Sequence, residues 1–518
     1  MTDRRTGRAR RLASALALAA VVLSGCQSAG STGDGRAAAG PVQVEPHADW
    51  RDAIVYFVLV DRFADGDPGR NLNHQPDNPG GWHGGDLKGL AGQLDEIAAL
   101  GATAIWINPV QRQIDVGLPV DPIREAGVDS WFEHWGFHGY WMDDFNEVDP
   151  HFGSEADLAA LVEAAHARGI RVLLDVVYNH AGYGARYEVA PEFKGWIRKE
   201  RPDCETDALR CRVGGLPDFV TEDPAVAAYL LDANIGLARR TGVDGFRLDT
   251  VKHIDHEFWR EHRARTRAEL GEDFFLLGEV WGGSAEVLDP YFAGDEMDAG
   301  FDFTFRGSCR DFVAGRMRTI AYSAYLERRH RVRDGYHLAH YLSSHDEPLQ
   351  LYEMGGDVER FKLCVAAQMT TLGIPVIFYG EEVARDGGPW PTNRNDMPWG
   401  DRDVLPGAGK ARDEALRDYY RRLIELRRAH PAMSRGEYSR LHVEGDLLVF
   451  GKRDPESGDE VVVAINRGEA PATANVAAPA GWTAAVDGIT GEAAAVGGDG
   501  LAVQAPPLAA RVYVRAGE

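Results

Sequence analysis

One unit recurs from residue 50 to about 430, and it constrains the fold more than any other feature of the chain. An amphipathic helix closes at a glycine, and a short apolar strand follows that ends on a polar side chain. ALGATAIWIN ends at Asn108, ARGIRVLLD at Asp175 and RTGVDGFRLD at Asp249. ELGEDFFLLGE ends at Glu279 and TLGIPVIFYGEE at Glu381. Gly101, Gly169, Gly242, Gly271 and Gly373 stand where helices commonly end in left-handed backbone. Leu158, Leu161, Val162 and Ala165 fall at the i, i+3, i+4, i+7 spacing of a helix face. Strands alternating with helices predict a parallel sheet. Eight strands can be placed, near residues 54–60, 103–107, 171–176, 243–248, 274–279, 298–303, 339–344 and 375–380. Eight such units predict an α/β fold closed into a (β/α)8 TIM barrel rather than an open doubly wound sheet. No phosphate-cradling glycine fingerprint follows the first strand, which also counts against a dinucleotide fold.

Three regions break the rhythm. Ala181 to Thr221, about forty polar, aromatic and cysteine-containing residues, is too long for a loop between a strand and its helix, so 181–221 reads as an inserted subdomain after strand three. From Gly436 the helical pattern stops, and LLVFGKR, EVVVAINR and AARVYVRA alternate as strands of an antiparallel β-sandwich over 436–518. At the other end, arginines precede the apolar run LASALALAAVVL and then LSGC. That order describes an export signal over 1–25, too short for a membrane span. LSGC resembles the bacterial lipoprotein box, in which Cys26 becomes lipidated; an ordinary cleavage near Ala29 is the alternative. Residues 26–47 read as a flexible tether, leaving the barrel at 48–435. The expected location is the cell envelope of a bacterium, with the membrane touched only through the lipid. Export permits disulfides. Cys204 and Cys211 lie close enough for a small bridged loop, whereas Cys364 sits in an apolar helical run as a buried thiol.

The charge balance points to the substrate class. The net charge is −24. Five arginines against one aspartate give residues 1–25 a charge of +4, so the remainder is near −28. Nucleic acid and anionic membrane are disfavoured as partners. The strand GVDGFRLD nevertheless carries Arg247 and Asp249 amid apolar residues. Side chains alternate along a strand, so these two share one face while Phe246 and Leu248 face the helices. In such a barrel the reactive face lies at the carboxyl ends of the strands. Asp175, Asp249, Glu279 and Asp346 all stand at strand ends, in settings that push their ionisation apart. Such a set suits acid–base work on a glycosidic bond, where one carboxylate attacks and a protonated one donates.

Four motifs then occur in order: DVVYNH (Asp175 to His180), GFRLDTVKH (Gly245 to His253), GEVW (Gly278 to Trp281) and LSSHDE (Leu342 to Glu347). With LPD (Leu216 to Asp218) in the insertion, the chain resembles the α-amylase family of glycoside hydrolases over roughly residues 50 to 515. The resemblance implies roles for single residues. Asp249 would be the nucleophile, Glu279 the general acid and then base, and Asp346 the group that grips the sugar hydroxyls. Arg247 would hold Asp249 charged, and His180 and His345 would hydrogen-bond the sugar. Tyr140, in FHGYW, would stack on it. Lys252 and His253 would line the acceptor side. Asn393 and Arg394 resemble a donor-side contact, although an aspartate that some members carry just before them is absent. The two-carboxylate logic requires retention, with the carboxyls of Asp249 and Glu279 about 5–5.5 Å apart.

The resemblance also implies Ca²⁺, bound by Asn179, Asp218 and the backbone carbonyl of His253. The alternative is that Asn179 and Asp218 only hydrogen-bond loops. Asp65, Asp67, Asn71 and Asp86, in ADGDPGRN and HGGD, resemble a second calcium loop, and Asp-Gly turns look similar. The first strand follows the tether closely, so no amino-terminal domain like that of cyclodextrin- and pullulan-degrading relatives is expected. Cyclising relatives carry a bulky aromatic where this chain has Gly214, which favours water as acceptor. The expected activity is therefore a monomeric α-amylase cutting α-1,4-glucans. A cyclomaltodextrinase- or neopullulanase-like maltodextrin hydrolase with transfer activity is the alternative. A non-catalytic glucan-binding lipoprotein on the same barrel is the reading from another class, and three retained carboxylates count against it.

Overall fold

The computed structural model describes residues 49–199, 207–402, 404–498 and 500–517. The proposed signal, Cys26, the tether and Cys204 lie outside the described residues. Cys211 is held in a disulfide, while Cys309 and Cys364 are buried free thiols. Among the described residues, no helix is long and apolar enough to cross a membrane.

Eight parallel strands close into a barrel. They run Val55–Val58, Ala104–Ile107, Arg171–Val176, Gly245–Leu248, Phe275–Gly278, Ala299–Phe301, His337–Tyr341 and Ile374–Phe378. Neighbours pair in sequence order and the last pairs with the first, Val55 opposite Val376. The strands are almost wholly buried because helices cover them outside and side chains fill them inside. Helix Glu155–His166 shows the sequence logic. Ser154 and Asp157 form a reciprocal capping box at its start, and Leu158, Leu161, Val162 and Ala165 are its buried face. Gly242 ends helix Pro224–Thr241 in left-handed backbone, φ 76° and ψ 23°, with its N–H donated to Ala238. Gly271 departs from that expectation: its φ is 104° but its ψ is 162°, so the chain leaves helix His256–Leu270 extended.

Two boundaries correct the sequence reading. The seventh strand ends at Tyr341, not near 344. From Leu342 the chain leaves the ladder, which frees Ser343 to Asp346 to curl into the mouth. The second correction is a long excursion after strand two that the strand–helix rhythm concealed. Residues Gln111–Gln113 pair antiparallel with Met142–Val148, and Leu118–Val120 with Phe132–His134 in the connection between them. These paired strands and the described residues of the 181–221 insertion wall the carboxyl end of the barrel.

The tail is a two-layer antiparallel structure. A six-stranded sheet and a three-stranded sheet enclose a core of Leu447, Val449, Val462 and Tyr513 against Val476, Leu501, Val503 and Ala505. The other face of the larger sheet packs on the barrel's helices and shares its core.

Gly245 stands where the barrel wall leaves no room for a side chain. A Cβ there would stand 2.3 Å from the Phe275 carbonyl oxygen and 2.8 Å from Leu173 Cδ2. Backbone on the adjacent strand cannot yield as a flexible side chain would. Gly245→Ala should therefore destabilise the protein by about 1–3 kcal/mol, read as a lowered Tm in thermal unfolding. An unchanged Tm would contradict this packing.

Candidate active site

The fourth strand delivers the central charges. Alternation puts Phe246 and Leu248 outward among helix side chains, both fully buried, and turns Arg247 and Asp249 inward. The strand stops because Thr250 adopts left-handed backbone, φ 49° and ψ 37°. A β-branched residue in that region is strained. The strained turn has a local use: it aims the Thr250 N–H at Glu279 Oε2, 2.9 Å away.

One buried guanidinium organises three carboxylates. Arg247 Nη1 donates to Asp249 Oδ1 at 2.7 Å and to both oxygens of Asp175 at 3.1 and 3.2 Å. Its Nη2 lies 3.0 Å from Glu279 Oε1. Asp175 is held further by Tyr140 Oη, donating at 2.7 Å, and Trp106 Nε1 at 3.0 Å. Asp249 Oδ2, by contrast, is buried with no partner, and Asp249 lines the cavity. One oxygen of that carboxylate is thus anchored and the other is free toward the substrate space.

Three carboxylates on one cation cannot all remain ionised easily. Burial, with Asp249 and Asp346 adding to it and Arg247 opposing, raises Glu279 to about 8. Burial raises Asp175 to about 7, Arg247 opposing and Asp249 adding to it. At neutral pH Glu279 therefore keeps a proton.

Asp346 comes from the curled segment after strand seven. Its Oδ2 is 3.2 Å from His345 Nε2 and its Oδ1 is 3.4 Å from Arg394 Nη2. Arg394 Nε donates to the His345 carbonyl at 2.8 Å, and Asn393 donates to the carbonyls of His345 and Glu347. Asn393 is fully buried. It holds this loop from behind, while Arg394 reaches the cavity. Tyr140 and His345 stack face to face, 5.2 Å between ring centres and 5° between planes. Burial lowers the pKa of both His180 and His345, favouring neutral imidazoles.

A cavity of about 450 Å³ gathers Asp249, Glu279, Asp346, Tyr140, His180, Lys252, His253, His345 and Arg394. Arg247 lies just beneath it. Lys252 Nζ donates to the Trp281 carbonyl at 3.4 Å, and His253 Nδ1 is 2.7 Å from the Ala208 carbonyl. Sequence reasoning missed His134, His138, Trp141, Val213 and Leu216 as wall residues. The first three come from the excursion in the aromatic run WFEHWGFHGYW, whose density of rings was the available signal. Trp390 also lines the cavity, whereas Trp82 and Trp399 are buried packing residues.

The two calcium sets differ. Asn179 Oδ1 faces two acceptors, 3.1 Å from the His253 carbonyl and 3.2 Å from Asp218 Oδ1. Three oxygens so placed fit a hard cation; the opposite amide orientation would instead donate to both. Asp218 Oδ2 is taken by Arg198 at 2.7 Å. In the other loop, Asp86 caps helix Leu87–Gly92 and accepts N–H groups from Gly66, Asp67 and Gly89. Asn71 donates to Asp65, and Lys88 to Asp67. That loop is brought together, but its carboxylates already meet N–H donors.

A closed parallel barrel with paired carboxyls at its carboxyl mouth is an arrangement suited to glycoside hydrolysis. The family model for the catalytic domain of alpha amylase matches residues 57–191 and 195–417, so the chain belongs to the α-amylase family. It is similar to the cyclomaltodextrinase of Geobacillus thermopakistaniensis, 31% identical over 495 residues, spanning 90% of this chain and 77% of that protein. Neopullulanase 2 of Thermoactinomyces vulgaris is 30% identical over 479 residues, spanning 86% and 74%. The solved α-amylase of Geobacillus thermoleovorans, complexed with acarbose, superposes with a TM-score of 0.76 at 30% identity, covering 90% of this chain and 98% of that one. The protein is thus a glycoside hydrolase of the α-amylase type.

The raised pKa of Glu279 has a sign that can be checked. Folded Glu279 holds its proton to about 8, whereas the unfolded side chain releases it near its ordinary 4.5. The stability this group contributes is complete below 4.5 and is lost as pH rises through 8. Glu279→Gln should therefore exceed the wild type in Tm at pH 9, with the difference closing toward pH 5. A constant difference across that range would contradict the shift.

Proposed function

We propose that this protein hydrolyses α-1,4-glucosidic bonds with retention and prefers short maltodextrins, cyclic ones included, to long starch chains. One observation carries the chemistry: a single guanidinium holds Asp249 with one free oxygen beside a Glu279 that keeps its proton. On this reading Asp249 Oδ2 attacks the anomeric carbon while Glu279 protonates the departing glycosidic oxygen. The sugar is left covalently on Asp249. Glu279, now ionised, takes a proton from water, which attacks the same carbon and frees Asp249. Two displacements restore the α configuration. Asp346, His180 and His345 grip the hydroxyls of the reacting ring, Tyr140 stacks on it, and Arg247 keeps Asp249 charged. Lys252 and His253 flank the acceptor side.

Substrate size is supported by the cyclomaltodextrinase and neopullulanase relatives, which align over most of this chain. The second reading is a starch-cleaving α-amylase, favoured by the α-amylase of known structure whose length this chain nearly covers. Initial rates on β-cyclodextrin, maltoheptaose and amylose separate them. Faster turnover of the first two supports the proposal; preference for amylose supports the second reading. Anomeric configuration read by NMR should be α at the first product, and a β product would refute retention. Asp249→Asn should lower kcat by at least about three orders of magnitude with the fold intact by circular dichroism.

Asn179, Asp218 and the His253 carbonyl would hold one Ca²⁺, tying the insertion to the loop after strand four. The remaining positions of a six- to eight-coordinate ion would fall to water and nearby carbonyls. When bound, the ion supplies rigidity at the acceptor wall and no chemical step. A chelator should lower Tm, excess Ca²⁺ should restore it, and Asp218→Asn should remove the effect. An unchanged Tm on chelation would refute the site.

A further inference from the structure

The aromatic wall of the catalytic cavity continues beyond Tyr140. Ring follows ring, from Tyr140 to His138 at 5.7 Å between centres, on to His134 at 5.0 Å and to Trp390 at 5.1 Å. All four line the cavity, and the roles assigned at the reacting ring use only Tyr140. The far end of this wall is built from two segments. Strand Phe132–His134 pairs with Leu118–Val120, and alternation puts Phe132 and His134 on one face with Glu133 on the other. Both rings of that face meet Trp390, His134 at 76° to it and Phe132 at 5.7 Å and 44°. Trp390 itself is half-buried. Its loop is tied down beside it: the Gly388 N–H donates to Thr392 Oγ1 at 2.9 Å, and Asn393 donates to the His345 carbonyl at 2.8 Å. Trp390 is therefore a fixed ring with part of its surface open to the cavity.

Its place in the barrel says which end of a substrate it meets. Trp390 follows strand eight, whereas Lys252 and His253 follow strand four. In a closed ring of eight strands these two lie four places apart, on opposite sides of the mouth. A glucan with its acceptor end at Lys252 and His253 therefore runs its donor end toward Trp390. His134 adds a polar group there. It is 7% exposed, and its Nδ1 is buried with no partner. A buried polar atom left unpaired is costly, and a ligand that pairs it recovers that cost. Burial, with Arg394 and Arg62 adding to it, drives the His134 pKa far below the usual histidine range, so the ring is neutral. A neutral ring nitrogen either donates or accepts, and a sugar hydroxyl does both, so it pairs with Nδ1 in either tautomer.

On the hydrolase reading given above, we propose that Trp390 and His134 bind the second glucosyl ring on the donor side and thereby set a preference for donors of two units or more. The apolar face of that ring lies on the indole, and one of its hydroxyls bonds His134 Nδ1. Phe132, packed against the indole, keeps it in place. Neither Trp390 nor His134 touches the bond that breaks. Their contact with the remote ring is binding energy that longer donors have and a single glucosyl unit lacks.

Glycosyl fluorides test this on the intact protein, because a fluoride leaving group fills none of the acceptor side. α-Maltosyl fluoride places two glucosyl rings on the donor side, and α-glucosyl fluoride places one. The wild type should release fluoride from the maltosyl compound with the higher kcat/KM. Trp390→Ala should lower the maltosyl-to-glucosyl ratio of kcat/KM about tenfold, the loss expected when about 60 Å² of apolar contact disappears. His134→Phe keeps a ring and removes the nitrogen; it should lower the ratio about fivefold, the size of one neutral hydrogen bond. A misfolded fraction lowers both rates alike, so the ratio reads the site and not the fold. A ratio unchanged in Trp390→Ala or in His134→Phe, or a wild type that turns over both fluorides equally, overturns the proposal and leaves the hydrolase reading standing. A wild type that releases fluoride from neither compound overturns the hydrolase reading and this site with it.

Discussion

The buried guanidinium of Arg247 is the interaction on which the site depends. It is the cation shared by Asp175, Asp249 and Glu279, and it sits at the end of a strand whose outward side chains are locked in the core. Its position is therefore set by the barrel and not by a loop. That rigidity matters because the electrostatics are a balance. One positive charge among three acids favours partial ionisation, and the hydrogen bonds determine which acid gives way. Asp249 receives the shortest of the Arg247 contacts, and Glu279 is left buried between Asp249 and Asp346.

Around this fixed centre the variable parts are loops, as is usual where a scaffold carries function. The excursion after strand two contributes Tyr140, His134, His138 and Trp141 to the cavity wall. The insertion adds Val213 and Leu216, and the segments after strands seven and eight add Asp346 and Arg394. Gly214, at φ 58°, presents no side chain, and a Cβ there would find nothing nearer than Tyr183 Oη at 3.8 Å. The rim at that point is open by composition.

The barrel was legible in the sequence because five of its eight strands are bracketed by a glycine after a helical pattern and a polar terminus, and local chemistry fixes both. Arg247, Asp249 and Glu279 were legible for the same reason: a charge in a buried strand has few innocent explanations. The excursion after strand two was not legible. Its ladders each pair only three residues, so the pairing is decided by tertiary packing and the alternation is too short to register. His134 and His138 went unnoticed because an aromatic-rich run reads equally well as core. The end of strand seven was misplaced because Leu342 is as buried as a strand residue, although it no longer pairs. The loop at Asp65 to Asp86 shows a different limit. Composition resembling a cation loop also suits a carboxylate that caps a helix, as Asp86 does.

The account stands on Glu279 carrying a proton at neutral pH. Difference infrared spectroscopy of wild type against Glu279→Gln isolates that group directly. A protonated carboxyl stretch should be present at pH 7, disappear with a midpoint of about 8, and be missing from the variant. A Glu279 carboxyl already ionised at pH 6 would contradict the account at its base.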